Sequence, residues 1–298
     1  YRWVWKSFKF VAERYPALTS KIALCFLYLP SVIFWGSGIM KDTYTFAASC
    51  YALYACNEIF IKRKNIRKTT VGLLISIYII ISIKAYILFA LLPGILIYLN
   101  FERIAKIKSG FVKIIIFPVF AGVLFLAGQG FFLTFGDDFG KYSADRLLVE
   151  AAIQQQDLKR DVYGTNSFDI GNFEPTISGV LSKSHLAINA ALFRPYIWEV
   201  GSPTMLLSGI ENSLLVLAII YFFITIGPIS FFRYIFKDPF LIFCFLFTIT
   251  LAFGIGLSTA NFGALVRYKI PFLPYFTVLF FIIAKHAKDK KLESLTTP

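Results

Sequence analysis

Long apolar runs separated by short polar punctuation dominate the chain. A helix needs about 20 apolar residues to cross the hydrocarbon core of a bilayer. Eight stretches approach that length: Ile22–Ile39, Tyr44–Ile61, Thr70–Ile83, Ala85–Phe101, Val112–Leu133, Met205–Phe232, Pro239–Leu257 and Ile270–Ala284. None alternates with a strand period, so the pattern predicts an all-α, polytopic transmembrane bundle of about eight spans. The third and fourth runs are separated only by Lys84 and predict a tight hairpin there. A single polar segment, 136–203, is long enough to form an external loop. Within it, 142–161 predicts a solvated helix, 164–175 a turn-rich stretch and 176–193 an amphipathic helix returning to the membrane surface. The loop has too few apolar positions for a core of its own, so residues 1–298 read as one integral membrane domain.

Composition agrees with this pattern. Hydrophobic residues make up 57% of 298 and charged residues only 16%, against about 25% in soluble domains. The net charge of +13 would suggest nucleic acid in a soluble protein. Here no zinc-finger, helix-turn-helix or basic-arm pattern accompanies it, and no nucleic-acid partner is expected. Its distribution supplies an orientation instead. Lys62–Lys68 holds five basic residues, and Arg103, Lys106, Lys108 and Lys113 form a second group. A hairpin at Lys84 puts both groups on one side of the membrane. With both ends cytoplasmic, 20 of the 30 basic residues fall on that side. The long loop carries nine of the 17 acidic residues. The four cysteines, Cys25, Cys50, Cys56 and Cys244, lie in apolar runs without metal or redox spacing and read as small core residues. The chain opens on Tyr1 without a signal-peptide pattern, which leaves room for further spans upstream.

The candidate chemistry lies in the cations that orientation does not explain. Lys41, Lys84, Arg267 and Lys269 sit in short external segments, and Arg194 ends the long loop. A cation below the membrane surface is costly unless paired or hydrated, so Lys84 reads as a site residue, with snorkelling to the interface as the alternative. A recess lined by cations suits a lipid diphosphate: Arg supplies a planar fork for phosphate oxygens and Lys a point charge. Trp198 and Tyr268, with Trp35, Tyr86 and Tyr196, are candidates for stacking on sugar rings or for an interfacial belt. Glu199 follows Arg194 by five residues and reads either as its ion-pair partner or as a base; Asp42 is the acid of the first external turn, paired to Lys41 or catalytic. Gly136-Asp-Asp-Phe-Gly140 looks like a metal loop but reads as a turn, and neither a metal nor another cofactor is expected.

Four motifs carry a resemblance: Phe34-Trp-x-Ser-Gly-x-x-Lys-Asp42, Ser82-x-Lys-x-Tyr86, Phe193-Arg-Pro-x-x-Trp-Glu199 and Gly263-x-x-Val-Arg-Tyr-Lys-x-Pro271. Between about Pro30 and Pro274 the chain resembles bacterial O-antigen polymerase-like (Wzy/EpsG-like) polytopic membrane proteins. That resemblance implies a glycan polymerase or glycosyltransferase of the inner membrane. It would act on undecaprenyl-diphosphate-linked glycans at the periplasmic face, without a metal or other cofactor, beside membrane lipid and partner proteins of envelope polysaccharide assembly. It implies that Arg194 and Arg267 hold diphosphate or sugar. Such polymerases usually have more than eight spans and more often place Arg where Lys41 and Lys84 stand here. A non-catalytic membrane subunit of a larger complex, or a transporter, is the alternative; no internal repeat supports the transporter.

Overall fold

The computed structural model describes residues 1–106, 149, 153, 157, 167–174 and 176–296. The predicted span Val112–Leu133, the predicted turn at 136–140 and most of the predicted loop helix at 142–161 lie outside the described residues. Among the described residues the chain is helical, with one isolated antiparallel bridge between Ser167 and Asn261. Three helices are long and apolar enough to cross a membrane: Ile66–Ile104, Met205–Thr225 and Pro239–Ser258. Counting each of two bent pairs as one span raises the number to five.

Proline and glycine set the boundaries. Helix α1 (Arg2–Arg14) leads through a short α2 (Thr19–Ala23) and a π turn (Leu24–Tyr28) to α3 (Pro30–Gly36). The first predicted span is therefore broken at Leu29–Pro30 by a 41° bend, because Pro30 has no N–H to continue the ladder. Helix α4 (Lys41–Cys56) follows, then α5 (Ile66–Ala105). Later in the chain come α6 (Ile177–Ser182), α7 (Ser184–Phe193), α8 (Pro203–Thr225) and α9 (Pro228–Lys237). The last are α10 (Pro239–Ser258), α11 (Phe262–Tyr268) and α12 (Leu273–Thr296). The predicted run Met205–Phe232 is divided in two, since Gly227 takes a left-handed φ of 76° and Pro228 opens a new helix. Ser202, Asp238 and Asn261 cap α8, α10 and α11 through their side-chain oxygens.

Lys84 interrupts α5 with φ −149° and ψ 76°. A straight helix would hold Gly72 and Tyr98 about 39 Å apart. Both instead lie against α4 and the π turn (Asn57–Lys62) that continues it. A Cβ on Gly72 would meet the Tyr51 ring, with Cε1 at 2.6 Å, and Tyr98 Oη donates to Asn57 Oδ1 at 2.7 Å. The chain thus doubles back at Lys84, and both halves of α5 run alongside α4.

The ion pairs collect at two ends. At one end Lys84 pairs with Asp42, and Arg194 with Glu199. At the other, Lys62 Nζ lies 2.7 Å from Glu13 Oε2 and 3.0 Å from Glu58 Oε1, and Arg14 reaches Asp238 at 3.3 Å. Asp42 to Glu58 along α4 and the π turn that continues it is about 24 Å, and Asp238 to Ser258 along α10 about 30 Å. That interval matches a hydrocarbon core of roughly 30 Å. It is filled by Phe26, Phe240, Phe243, Phe247 and Tyr275, all fully buried. The outward side chains Leu206, Ile210, Leu214, Leu217 and Ile224 are apolar and exposed, as a lipid-facing stripe requires. The four cysteines are buried and free.

The segment 176–193 departs from expectation. It forms two helices, and α7 packs into the bundle rather than along a surface: Ala187, Ala190, Ala191 and Leu192 are buried. Small side chains allow this close approach, because Gly256 on α10 lies directly beneath the Ala187 backbone.

The corner between α9 and α10 contains a pH-sensitive joint. Asp238 accepts from Tyr15 Oη at 2.5 Å, from Arg14 Nη2 at 3.3 Å and from the Phe240 N–H at 2.9 Å; His286 Nε2 stands 3.6 Å away. Burial alone would raise this carboxyl, but His286, Tyr15, Arg14 and the Phe240 amide outweigh it and hold it at about 2. A depressed carboxyl contributes stability that is present above its unfolded value near 4 and is lost as pH falls towards 2. The shift corresponds to about 2 kcal/mol. Melting temperature in detergent should fall between pH 4 and pH 2, and Asp238→Asn should flatten that step. An unchanged acid limb in the variant would exclude Asp238 as its source.

Candidate functional site: a cationic end gathered around one short helix

Helix α11 is the organising element. Its seven residues follow the Ser167–Asn261 bridge, where the Phe168 N–H also donates to the Ala260 carbonyl at 2.7 Å. Three groups of predicted residues meet along it.

At its start, Phe262 stacks on Phe168 with ring centroids 5.3 Å apart. The Arg194 guanidinium lies over both rings, at 4.9 Å and 5.5 Å. Arg194 Nε donates to both Glu199 oxygens, at 3.0 and 3.1 Å, and Nη2 donates to Oε1 as well. Glu199 Oε2 also accepts the Tyr196 N–H at 2.9 Å. The pair is charge-neutral and its geometry is fixed from two sides. Trp198 is 78% exposed and stacks on Tyr196 at 4.9 Å with an 18° interplanar angle. Ser167, Arg194, Trp198, Glu199, Val200, Gly201 and Phe262 line a cleft of about 350 Å³. The Arg194–Pro195 bond is cis.

At the end of α11, Arg267 Nε donates to the Gly263 carbonyl at 2.9 Å, and the guanidinium sits 5.7 Å from the Trp35 ring. Among the described residues Arg267 makes no ion pair. Its neighbour Tyr268 covers Lys84, whose Nζ is 3.4 Å from the ring centroid and is paired with Asp42. Lys41 is exposed and, like Arg267, close enough to act electrostatically on Lys84. Thr43 ties the turn between α3 and α4, donating to the Gly38 carbonyl at 2.6 Å and to the Trp35 carbonyl at 3.2 Å.

The third group is buried. Lys269 is only 1% exposed and donates to Asn212 Oδ1, while Asn212 Nδ2 donates to the Pro195 carbonyl at 3.1 Å. This strut joins the Arg267 segment to the Arg194 segment through α8. Beside it, Glu211 Oε2 accepts the Ser31 N–H at 3.1 Å, and Ser31 and Ser208 share a hydroxyl hydrogen bond at 3.2 Å. The break at Pro30 leaves the buried N–H of Ser31 without a helical partner, and Glu211 satisfies it.

The predicted residues therefore divide by role. Asp42, Lys41, Lys84, Arg267 and Tyr268 form one cluster; Arg194, Trp198 and Glu199 form another. Lys269, expected to contact ligand, is instead buried: one residue separates it from Arg267, which sends the two side chains to different sides of the backbone. Asn212 and Ser31 were not predicted. The signal for Asn212 was the polar pair Glu211-Asn212 inside an otherwise apolar span.

No family model, curated protein or solved structure matches the chain.

Proposed function

We propose that this protein is an integral membrane glycosyltransferase of the polysaccharide-polymerase type. In this reading it acts on undecaprenyl-diphosphate-linked glycans at the periplasmic face of a bacterial inner membrane, in eight spans with both described ends cytoplasmic. The observation that supports it is the meeting of four cationic motifs, far apart in sequence, around α11 at one polar end, with Arg267 free of ion pairing among the described residues. A lipid diphosphate lies with its tail in the bilayer and its phosphates at the depth of such a cluster. Arg267, aided by Lys41 and Lys84, stabilises the charge that develops on the diphosphate as the bond to the anomeric carbon breaks. An acceptor hydroxyl forms the new glycosidic bond, and its proton passes to Glu199, the acid lining the cleft. Asp42 holds Lys84 in place. Partner proteins of polysaccharide assembly would supply and remove the lipid-linked chains.

A second reading, a non-catalytic membrane subunit, draws on a different observation: both candidate carboxylates are engaged in ion pairs. Reconstitution separates the two. The full chain in liposomes containing undecaprenyl-diphosphate oligosaccharide should convert it to longer lipid-linked chains, seen as a ladder on a gel. Binding of the lipid with no elongation would overturn the enzyme reading in favour of the subunit.

A further inference from the structure

The two arginines of this end differ in electrostatic state, and the difference assigns them different ligands. Arg267 lies near the Trp35 ring, is anchored through Nε, and has no carboxylate partner among the described residues. Arg194 is neutralised by a carboxylate that grips it through both oxygens. An anion approaching Arg194 also meets the negative charge of Glu199 beside it, so the cleft has less net attraction for phosphate than an unpaired arginine.

What the cleft offers is a different chemistry. The Nη1 face of the guanidinium donates hydrogen bonds, the Glu199 oxygens accept them, and Ser167 adds a hydroxyl. The Trp198 ring, 78% exposed and backed by Tyr196, is a flat apolar wall. A neutral arginine–glutamate pair beside an open aromatic ring complements a ring of C–H bonds edged by hydroxyls. The volume of about 350 Å³ accommodates one or two such rings. We infer that the Arg194–Glu199–Trp198 cleft is a subsite for the uncharged sugar rings of a glycan, and that the diphosphate is held separately at Arg267. The inference rests on the glycosyltransferase reading and changes one part of it: Arg194 holds sugar rather than diphosphate. The buried strut Lys269–Asn212–Pro195 then fixes the spacing between the sugar subsite and the phosphate subsite.

The test uses the full chain in lipid nanodiscs. A broad panel of immobilised glycans, neutral and acidic, is probed in parallel with sodium pyrophosphate binding by calorimetry. Neutral glycans should be bound, and Trp198→Ala should weaken them at least tenfold; the side chain is exposed, and an unchanged elution profile would confirm folding. Pyrophosphate affinity should be lost in Arg267→Ala and retained in Arg194→Ala. Glu199→Gln should create new pyrophosphate binding, because it leaves the Arg194 charge uncancelled. No binding to any neutral glycan, full binding in Trp198→Ala, or pyrophosphate binding that requires Arg194 in the parent protein would each overturn the assignment. Glycan binding without chain elongation would leave the subsite standing and sink the polymerase reading. Elongation with Arg194-dependent pyrophosphate binding would do the reverse.

Discussion

Replacing Arg267 with alanine is expected to abolish polymer formation while the protein still inserts and melts normally. The guanidinium is half-buried, lies near the Trp35 ring and is fixed by one bond to the Gly263 carbonyl. Its two terminal nitrogens remain for a phosphate fork. Charge-assisted hydrogen bonds contribute about 1.5–3 kcal/mol each. Losing two corresponds to a fall in elongation rate of roughly 100-fold or more, at about 1.4 kcal/mol per factor of ten. Arg267→Lys keeps the charge but loses the fork, and should retain a few per cent of the rate. The stability cost should be small, because removal leaves no buried carboxylate unpaired among the described residues. Lys84→Ala provides the contrast. It strands Asp42, only 5% exposed, without its cation, so its loss of function should come with a loss of protein. Rate assays in liposomes, with melting curves in detergent alongside, separate the two. Normal chain lengths from the Arg267→Ala protein would remove Arg267 from the site and leave the polymerase reading without its main support.

The expectations that rest on local rules and those that rest on tertiary packing fare differently. Lys84 between two apolar runs marks a reversal, because five basic residues before it and four after the next run favour one side of a membrane. The structure folds the two halves of α5 along α4 at that residue. Pro203 and Pro239 open helices close to the predicted span starts, whereas Pro30 and Pro228 open helices inside the predicted runs Ile22–Ile39 and Met205–Phe232. The bends at Leu29–Pro30 and between α11 and α12 were less legible. A window of hydropathy counts apolar residues and is blind to direction, so Ile22–Ile39 reads as one straight span and α11 is not seen as a helix set at an angle to the last one. The depth of α7 was hidden for a related reason. Its sequence mixes Ser, His and Asn with alanines, which suits a surface helix equally well. Only the proximity of Gly256 shows that its alanines face another backbone. The Arg194–Glu199 ion pair was legible through the spacing of the two residues. Lys269 was placed with Arg267 because sequence gives neighbours, not directions. The partner that captures it, Asn212, lies 57 positions away.

The contact that seats α7 also bears on the candidate site, so Gly256 should be the least tolerant glycine among the described residues. A Cβ at that position would collide with the carbonyl oxygen of Ala187, with the carbonyl carbon at 2.5 Å and Cα at 2.8 Å. These are backbone atoms of a packed helix, so no side-chain rotation relieves the overlap, and α7 must move away from α10. Overpacking of this kind costs about 3 kcal/mol. In a domain of this size that lowers the melting temperature by roughly 6–12 °C. Gly254, two positions earlier on the same helix, is the control: a Cβ there meets nothing within 4 Å. Gly254→Ala should leave stability unchanged or raise it by about 0.5–1 kcal/mol, since alanine loses less backbone entropy in a helix. Equal melting temperatures for Gly256→Ala and Gly254→Ala would show that α7 does not rest on α10. The functional consequence follows from chain order. Arg194 is the residue after α7, so displacing the helix shifts the guanidinium from the Phe168 and Phe262 rings and strains its grip on Glu199. Any Gly256→Ala protein that survives in the membrane should therefore lose glycan binding in the Arg194 cleft while keeping pyrophosphate affinity at Arg267.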